Sequence, residues 1–424
     1  MNSLILTAIM LAQGGPSSLD LSGWVSLALS NSPDMLEAGA AVSQAEARVQ
    51  TVRSALLPSL VFGASAGHAW STVEPVGDYE SDSYNASLTL SQELLASGGR
   101  SWLDLSASRL SRDAVRSDFE ASRLQLELDV AQAFYDVVGS MGLVSSAEAA
   151  LERSSRQLER IQALYDLGAA TSLELVQAQV GESGDRLSLA RRQQGLRTSY
   201  ASLYSAAGVG AGEDLPTVDT SAVLPPLTIE AARGLDLDLS ANPSLRSADI
   251  RSESALKSLS SARRAYWPSL SASGSWSWNS EDLDIPDAPN EDSWNVRLSL
   301  SWPIFDGWMR ESAISSASAS VLSGQASKRS LENQLSASLS NSKDALVTSI
   351  ESYDLASLSL DYSRRRLELS QMNYELGGLT LIDLLDAQAA LAEAEAALVT
   401  ARVDCLKAEA VLMVLAGRSP RLGE

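Results

Sequence analysis

The sequence predicts a mainly α protein, internally duplicated, in which long antiparallel coiled-coil helices are joined to four β-strands of membrane-spanning length. Three observations lead there. Landmarks recur in one order at an offset of 209 or 210 residues. In two places per copy the hydrophobic period drops from helical to alternating. Each copy also holds a helical run too long for an ordinary globular helix.

The duplication comes first because it organises the rest. Asn31-Ser32-Pro33 recurs as Ala241-Asn242-Pro243, and Leu57-Pro58-Ser59-Leu60 as Trp267-Pro268-Ser269-Leu270. Leu88-Thr89-Leu90-Ser91 recurs as Leu298-Ser299-Leu300-Ser301, and Arg100 as Arg310. Tyr165-Asp166-Leu167-Gly168 returns as Tyr374-Glu375-Leu376-Gly377, Ala178-Gln179 as Ala387-Gln388, and Ala207-Gly208 as Ala416-Gly417. The chain therefore divides into a first repeat over 19–208, a linker over 209–233, a second repeat over 234–417 and a tail over 418–424.

Each repeat opens with a helix, about Pro33–Leu56 and Pro243–Ala265. Proline suits the first helical turn, and Pro58 or Pro268 ends the helix. Alternation follows. Over Ser269–Trp278 every odd position is serine, while the even ones are Leu270, Ala272, Gly274, Trp276 and Trp278. The four strands are expected at about 59–71, 83–92, 269–279 and 294–302. Seven of the nine tryptophans lie in or beside them, as a bilayer interface selects. The intervening segments Thr72–Ser83 and Ser280–Ser293 read as acidic hairpin loops, solvated or able to hold divalent cations.

Long helices are then expected at about Trp102–Leu167 and Trp308–Leu376, each followed by a return helix. The second return helix carries two apolar seams at 3/4 spacing. One runs Leu384, Ala387, Leu391, Ala394, Leu398, Ala401, Cys405, Ala408, Leu412; the other starts at Leu385 and Ala389. Two seams require two packing neighbours. Cys405 lies on the first and reads as a small core residue. At the turns, Gly168 and Gly377 suit left-handed helix caps. Thr171 with Glu174, and Thr380 with Asp383, have capping-box spacing. Asp386 is poorly explained by capping, although the helix dipole favours an acid there.

Composition excludes several classes. A net charge of -21 argues against a nucleic-acid partner. One cysteine and one histidine, His68, leave no intramolecular disulfide and no multi-histidine metal centre, so neither cofactor nor metal is expected. No catalytic constellation supports an enzyme. Residues 1–18 hold an apolar run, Leu4–Ala12, like the core of an export signal, but without a preceding Lys or Arg. No apolar stretch reaches the ~18 residues a membrane helix needs, so a membrane would have to be crossed by strands. Four strands cannot close a barrel, and an open edge cannot face lipid, so the strands need partners from other copies.

These motifs, duplicated and in this order, together with Leu300-Ser301-Trp302-Pro303-Ile304-Phe305-Asp306-Gly307 and Asp383-Leu384-Leu385-Asp386-Ala387-Gln388, resemble the TolC-like outer membrane efflux protein family. The resemblance implies a homotrimer in outer-membrane lipid, with a shared twelve-stranded barrel and a periplasmic helical tunnel. It implies passive export of cargo delivered by an inner-membrane pump through a periplasmic adaptor. By the same resemblance the periplasmic gate would comprise Asp383, Asp386, Glu174, Gln177 and Tyr374. The adaptor would dock at the tips around Gly168, Thr171, Gly377 and Thr380. An arginine common in the family's closing latch is replaced here by Leu379. A soluble periplasmic coiled-coil scaffold or adaptor is the alternative, but it leaves the strands and tryptophans unexplained.

Overall fold

The computed structural model describes residues 18–73, 77–210, 215–221, 223, 225–235, 237–280 and 292–420. Residues 1–17 of the expected export segment at 1–18 and most of the second acidic loop, 281–291, lie outside the described residues, as does Glu74.

In chain order the elements are β1 (Ser18–Leu19), α1 (Leu21–Asn31), α2 (Pro33–Ser54), β2 (Ser59–Val73), β3 (Gly77–Leu95), α3 (Arg100–Asp166), α4 (Ser172–Ala206), β4 (Thr217–Val218), α5 (Ile229–Arg233), α6 (Pro243–Arg263), β5 (Ser269–Ser280), β6 (Asp292–Ser301), α7 (Met309–Glu375) and α8 (Leu381–Leu415). They form two units, each drawing on both repeats. One comprises Gly39–Asp118 and Ser244–Leu331. The other takes the described residues up to Ala38, Phe119–Pro243, and those from Glu332 on.

The first of these units holds one antiparallel sheet in the order β2-β3-β5-β6. The two hairpins are therefore joined through β3 and β5, while β2 and β6 are open edges. The strands differ from expectation in one respect. Thr72–Ser83 is mostly strand rather than loop: β2 runs to Val73, β3 starts at Gly77, and they pair from Ser59 with Ser91 to Val73 with Gly77. Asp78, Glu80 and Asp82 alternate with other polar residues, so the segment has no apolar face by which a strand is read. Backbone pairing holds it, helped by cross-strand polar bonds: Thr72 donates its hydroxyl to Asp78 at 2.6 Å, and Asp82 bonds His68.

Helical segments in the same unit are pinned to one another by polar bonds. Glu46 of α2 takes a bond from Arg116 of α3 at 2.5 Å, and Ser254 of α6 donates to the Ala107 carbonyl at 2.9 Å. Between β6 and α7 the chain turns sharply at Gly307 and Trp308, both with left-handed φ (67° and 69°). Arg310 locks this elbow. It donates to Asp306 at 2.8 Å and to the carbonyls of Pro303 and Ile304, and it lies over the Tyr266 ring. Its repeat partner Arg100 pairs with Asp104 instead.

The second unit has its main core where α3, α4 and α8 meet α1. Trp24, Phe134, Val130, Val137 and Leu203 are fully or almost fully buried there. Helix α1 precedes the first helix that the sequence predicts. Its Leu21, Trp24, Val25 and Ala28 bury one face, and Asp20 caps it by accepting from the Gly23 N–H at 2.9 Å. Strand β1 pairs parallel with β4, a two-residue ladder too short to leave a sequence pattern.

On α8 the first expected seam is buried at Leu384, Ala387, Leu391, Ala394, Cys405 and Leu412. The second is buried at Val403, Leu406, Ala410 and Met413, and less covered towards the start of the helix. Cys405 sits in a cluster with Leu346, Ile350 and Leu412, and burial raises its thiol pKa. Helix α3 approaches α8 closely at two glycines: a Cβ on Gly139 or Gly142 would stand 2.8 or 2.9 Å from Val403 or Val399.

Both repeats end alike. Gly208 and Gly417 are left-handed caps of α4 and α8, and each lies against the backbone that opens its own repeat, Asn31–Ser32 or Ala241–Asn242. Asn242 adds a bond from its amide to the Leu415 carbonyl at 2.9 Å. This contact gives the duplicated Asn-Pro and Ala-Gly landmarks a common cause.

Candidate functional site

Two features carry functional chemistry: the paired helical turns and the two-faced sheet.

At the first turn Gly168 has φ 74°, and its N–H donates to Tyr165 while Ala169 N–H reaches back to Leu164, the double bond of a glycine-capped helix end. The second turn repeats it with Gly377 (φ 75°), bonded to Tyr374, and Gly378, bonded to Asn373. The residues just before the glycines, Leu167 and Leu376, are 81% and 82% exposed. Both capping boxes form. Glu174 accepts from the Thr171 N–H at 2.7 Å and from its hydroxyl at 2.9 Å. Asp383 accepts from the Thr380 hydroxyl at 2.6 Å and its N–H at 3.0 Å. These donors stabilise the carboxylate form. The Thr171 N–H, then its hydroxyl, hold the Glu174 pKa down. For Asp383 the Thr380 hydroxyl leads and the N–H follows.

The turns meet around Tyr374, which packs against Ile161, Ala178 and Leu381. Burial raises the pKa of its hydroxyl, the nearby Glu174 charge raises it further, and Arg160 opposes both. Arg160 in turn bonds Glu375 at 2.9 Å. Of the residues expected at a gate, the fold thus brings Tyr374 and Glu174 together. Asp383 is occupied by its cap. Asp386 is exposed, and among the described residues its carboxylate has no hydrogen bond or ion pair. Gln177 is half-buried on α4 and likewise makes no side-chain hydrogen bond among the described residues. Sequence reasoning missed Arg160 and Glu375. Leu379, on the turn itself, supplies no charge, and the cation beside Tyr374 is Arg160 of α3. Only an acid at the landmark Tyr-Glu-Leu-Gly hinted at a partner.

The register of the sheet sorts its residues by parity. On one face, rows such as Leu60–Leu90–Gly274–Val296 and Phe62–Leu88–Trp276–Trp294 are apolar. On the other, rows such as Gly63–Ser87–Ser277–Ser293 are small and polar. The hydroxyls there satisfy one another: Ser59 with Ser91 and Ser277 with Ser293, both at 2.7 Å. The apolar rows run from Leu270 to Tyr84 opposite Ser280, roughly 33 Å along the strand and about 25 Å in height at a ~40° tilt, the band that a bilayer requires. Beyond it the face turns polar, with His68 bonded to Asp82 at 2.5 Å and edge-on to Trp70. Among the described residues of the unit the apolar face is largely bare at its edges: Phe62, Val296, Trp294 and Leu298 are 67–89% exposed.

The family model described as "Outer membrane efflux protein" matches residues 24–209 and 235–418. The chain belongs to the outer membrane efflux protein family. Relatives include the outer membrane protein TolC of Vibrio cholerae, 25% identical over 88% of this chain and 85% of that one. Another is the pyoverdine export outer membrane protein OpmQ of Pseudomonas putida, 25% identical over 89% and 82%. The fold matches the crystal structure of the Campylobacter jejuni CmeC outer membrane channel with a TM-score of 0.82, at 19% identity, covering 97% of this chain and 91% of that one.

As an outer membrane efflux protein the chain is a channel protein located in the outer membrane, working in an efflux system. The family is one of channel and transport proteins. This membership sets the soluble scaffold reading aside, and the bare apolar sheet face agrees. No helix among the described residues is long and apolar enough to cross a membrane.

Proposed function

We propose that this chain forms a ring of three copies, serving as the exit duct of a tripartite efflux or type I secretion assembly with a periplasmic adaptor and an inner-membrane pump. The observation that carries the reading is the two-faced sheet with open edges at β2 and β6. Its apolar face suits lipid and its serine face suits an aqueous lumen. An open edge in lipid leaves unpaired N–H and C=O groups at several kcal/mol each, so β6 of one copy must pair with β2 of the next. The helices supply a second argument. Leu173, Val176, Val180 and Leu187 on α4 are exposed in a 3/4 spacing. So are Leu355, Leu358, Tyr362, Leu369, Met372 and Leu376 on α7 and just past its end. Such stripes are seams awaiting another helix.

In the ring, Asp383 and Asp386 would line a cation-attracting constriction at the turns, and Tyr374, Glu174 and Gln177 would adjust its closure. The exposed Leu167–Gly168 and Leu376–Gly377 corners, with Thr171 and Thr380, would receive the adaptor. The repeat boundaries at 208/209 and 233/234 would bracket the linker between the two halves. The test is conductance in a planar bilayer, wild type against the Asp383→Ala/Asp386→Ala double variant. Wild type should form a cation-selective pore and the variant a less selective one. Absence of any pore would reject the duct, whereas unchanged selectivity would reject only the gate.

A further inference from the structure

The serine face of the sheet carries one guanidinium whose role the duct reading does not absorb. Arg297 lies on β6 opposite Ser273, and the register continues that row through Ser91 to Ser59. Its neighbours along β6 on the same face are Asn295 and Ser299. Rows above and below hold Thr89, Ser275, Ser271 and Ser299, with Val61 the apolar exception. The described charged groups on this face are Arg297 and Glu93, which pairs with Ser271 at the bulge where the ladder slips. His68, Asp78, Glu80, Asp82 and Asp292 all have the opposite parity. Among the described residues Arg297 makes no ion pair or hydrogen bond through its side chain, and it is exposed.

We propose that Arg297 is an anion-selecting residue of the barrel lumen, contacting carboxylate or phosphate groups of solutes as they leave. The inference rests on the duct reading, which turns the serine face inward. A guanidinium on a small-residue wall is a planar fork of donors with no internal acceptor, matched to oxyanions. An aqueous lumen between low-dielectric walls concentrates the field of such a group along the path. Serine and asparagine neighbours neither neutralise the charge nor block access. Each copy contributes one such group, so the closed barrel carries a cationic ring at the Arg297 level, with a separate ring of Glu93 carboxylates one same-face row away. The carboxylates at the helical turns bias the duct towards cations, and this ring opposes that bias further along the path.

The experiment is the reversal potential of single channels in a potassium chloride gradient, with citrate as a blocking anion. It compares wild type, R297S, R297K and R297E. Neutralising the ring should lower the chloride-to-potassium permeability ratio by about sevenfold, because a potential of about one kT changes the local anion and cation concentrations about 2.7-fold each in opposite senses. R297S should also lose citrate block. R297K should keep the ratio, and R297E should lower it beyond R297S. Should R297S fail to insert, the comparison of R297K with R297E decides alone. Conducting variants with the wild-type ratio and citrate block would overturn the assignment. A wild-type protein that forms no pore would overturn the duct reading beneath it.

Discussion

The Arg160 guanidinium, near the end of α3, donates to the carboxylate of Glu375, the last residue of α7, at 2.9 Å. The pair ties the end of the first repeat's long helix to that of the second. Both side chains are about half exposed, at 46% and 55%, so its net worth is at most about 1 kcal/mol. In a chain this long that moves the melting temperature by only about 1 °C, yet it would be about a fivefold shift in a two-state gate. R160A and E375A should each leave thermal stability within about 1 °C while raising channel open probability up to about fivefold. The double variant should do no more than either alone. Additive effects would show that the two residues act separately.

The capping boxes give a pH dependence. Glu174 and Asp383 both have pKa values lowered in the folded chain. A lowered carboxyl contributes its stability above the unfolded pKa and loses it as pH falls through the folded one. The starts of α4 and α8 should therefore be intact at neutral pH and loosen below about pH 4. Amide hydrogen exchange at Thr171 and Thr380, corrected for intrinsic rate, should accelerate there. E174Q and D383N should already exchange faster at neutral pH and show a flatter profile. T171A and T380A should cost about 1 kcal/mol each, by the usual worth of a cap.

Much of this was legible in the sequence because the duplication and the two hydrophobic periods are strong signals. The strand faces follow to the residue, since parity fixes them once one row is known. What escaped reading has physical reasons. The chain at Asp78–Asp82 is strand only because β2 pairs with it. The β1–β4 ladder has no pattern to show. Helix α1 does announce itself through Asp20 and the Leu21, Trp24, Val25, Ala28 spacing, but it lies ahead of Pro33, the stronger signal for a helix start. Arg160 was invisible because it is distant in sequence from Tyr374 and Glu375, and no local spacing brings them together.

Arg310 offers a test of the elbow between β6 and α7. Its side chain is 11% exposed and satisfies Asp306 and two carbonyls at once. Removing it strands a largely buried carboxylate and frees a backbone held at left-handed φ at Trp308. R310A should cost about 3 kcal/mol, in the range for breaking a buried pair. R310K should recover only part of this, because an ammonium cannot span the same acceptors. Urea unfolding of the detergent-solubilised protein measures both. Equal loss in R310A and D306A, with no further loss in the double variant, would assign the cost to the pair rather than to the carbonyl contacts.

Glycine substitutions separate packing from propensity within one molecule. At Gly195 on α4 nothing stands within 4 Å of the point where a Cβ would project, so G195A should stabilise by about 0.5–1 kcal/mol through helix propensity alone. At Gly139 the same gain meets Val403 at 2.8 Å, and a β-branched side chain in a helix has one strongly preferred rotamer. Overpacking costs about 1–3 kcal/mol and should win, leaving G139A net destabilised by up to about 2 kcal/mol. V403A removes the obstructing methyls, so adding it should recover much of the G139A loss. At Gly417 two effects add: a left-handed φ of 75° and a methyl driven into the Ala241 carbonyl, a backbone group that cannot swing aside. G417A should therefore be the most damaging of the set, well beyond G377A. Gly377 shares a φ of 75° but has open space around it, so only the conformational cost of about 1–2 kcal/mol remains. Ranking the four variants by urea midpoint checks the expected order: G195A most stable, G377A and G139A between, G417A least. A G417A no weaker than G377A would mean that the repeat-closing contact contributes nothing.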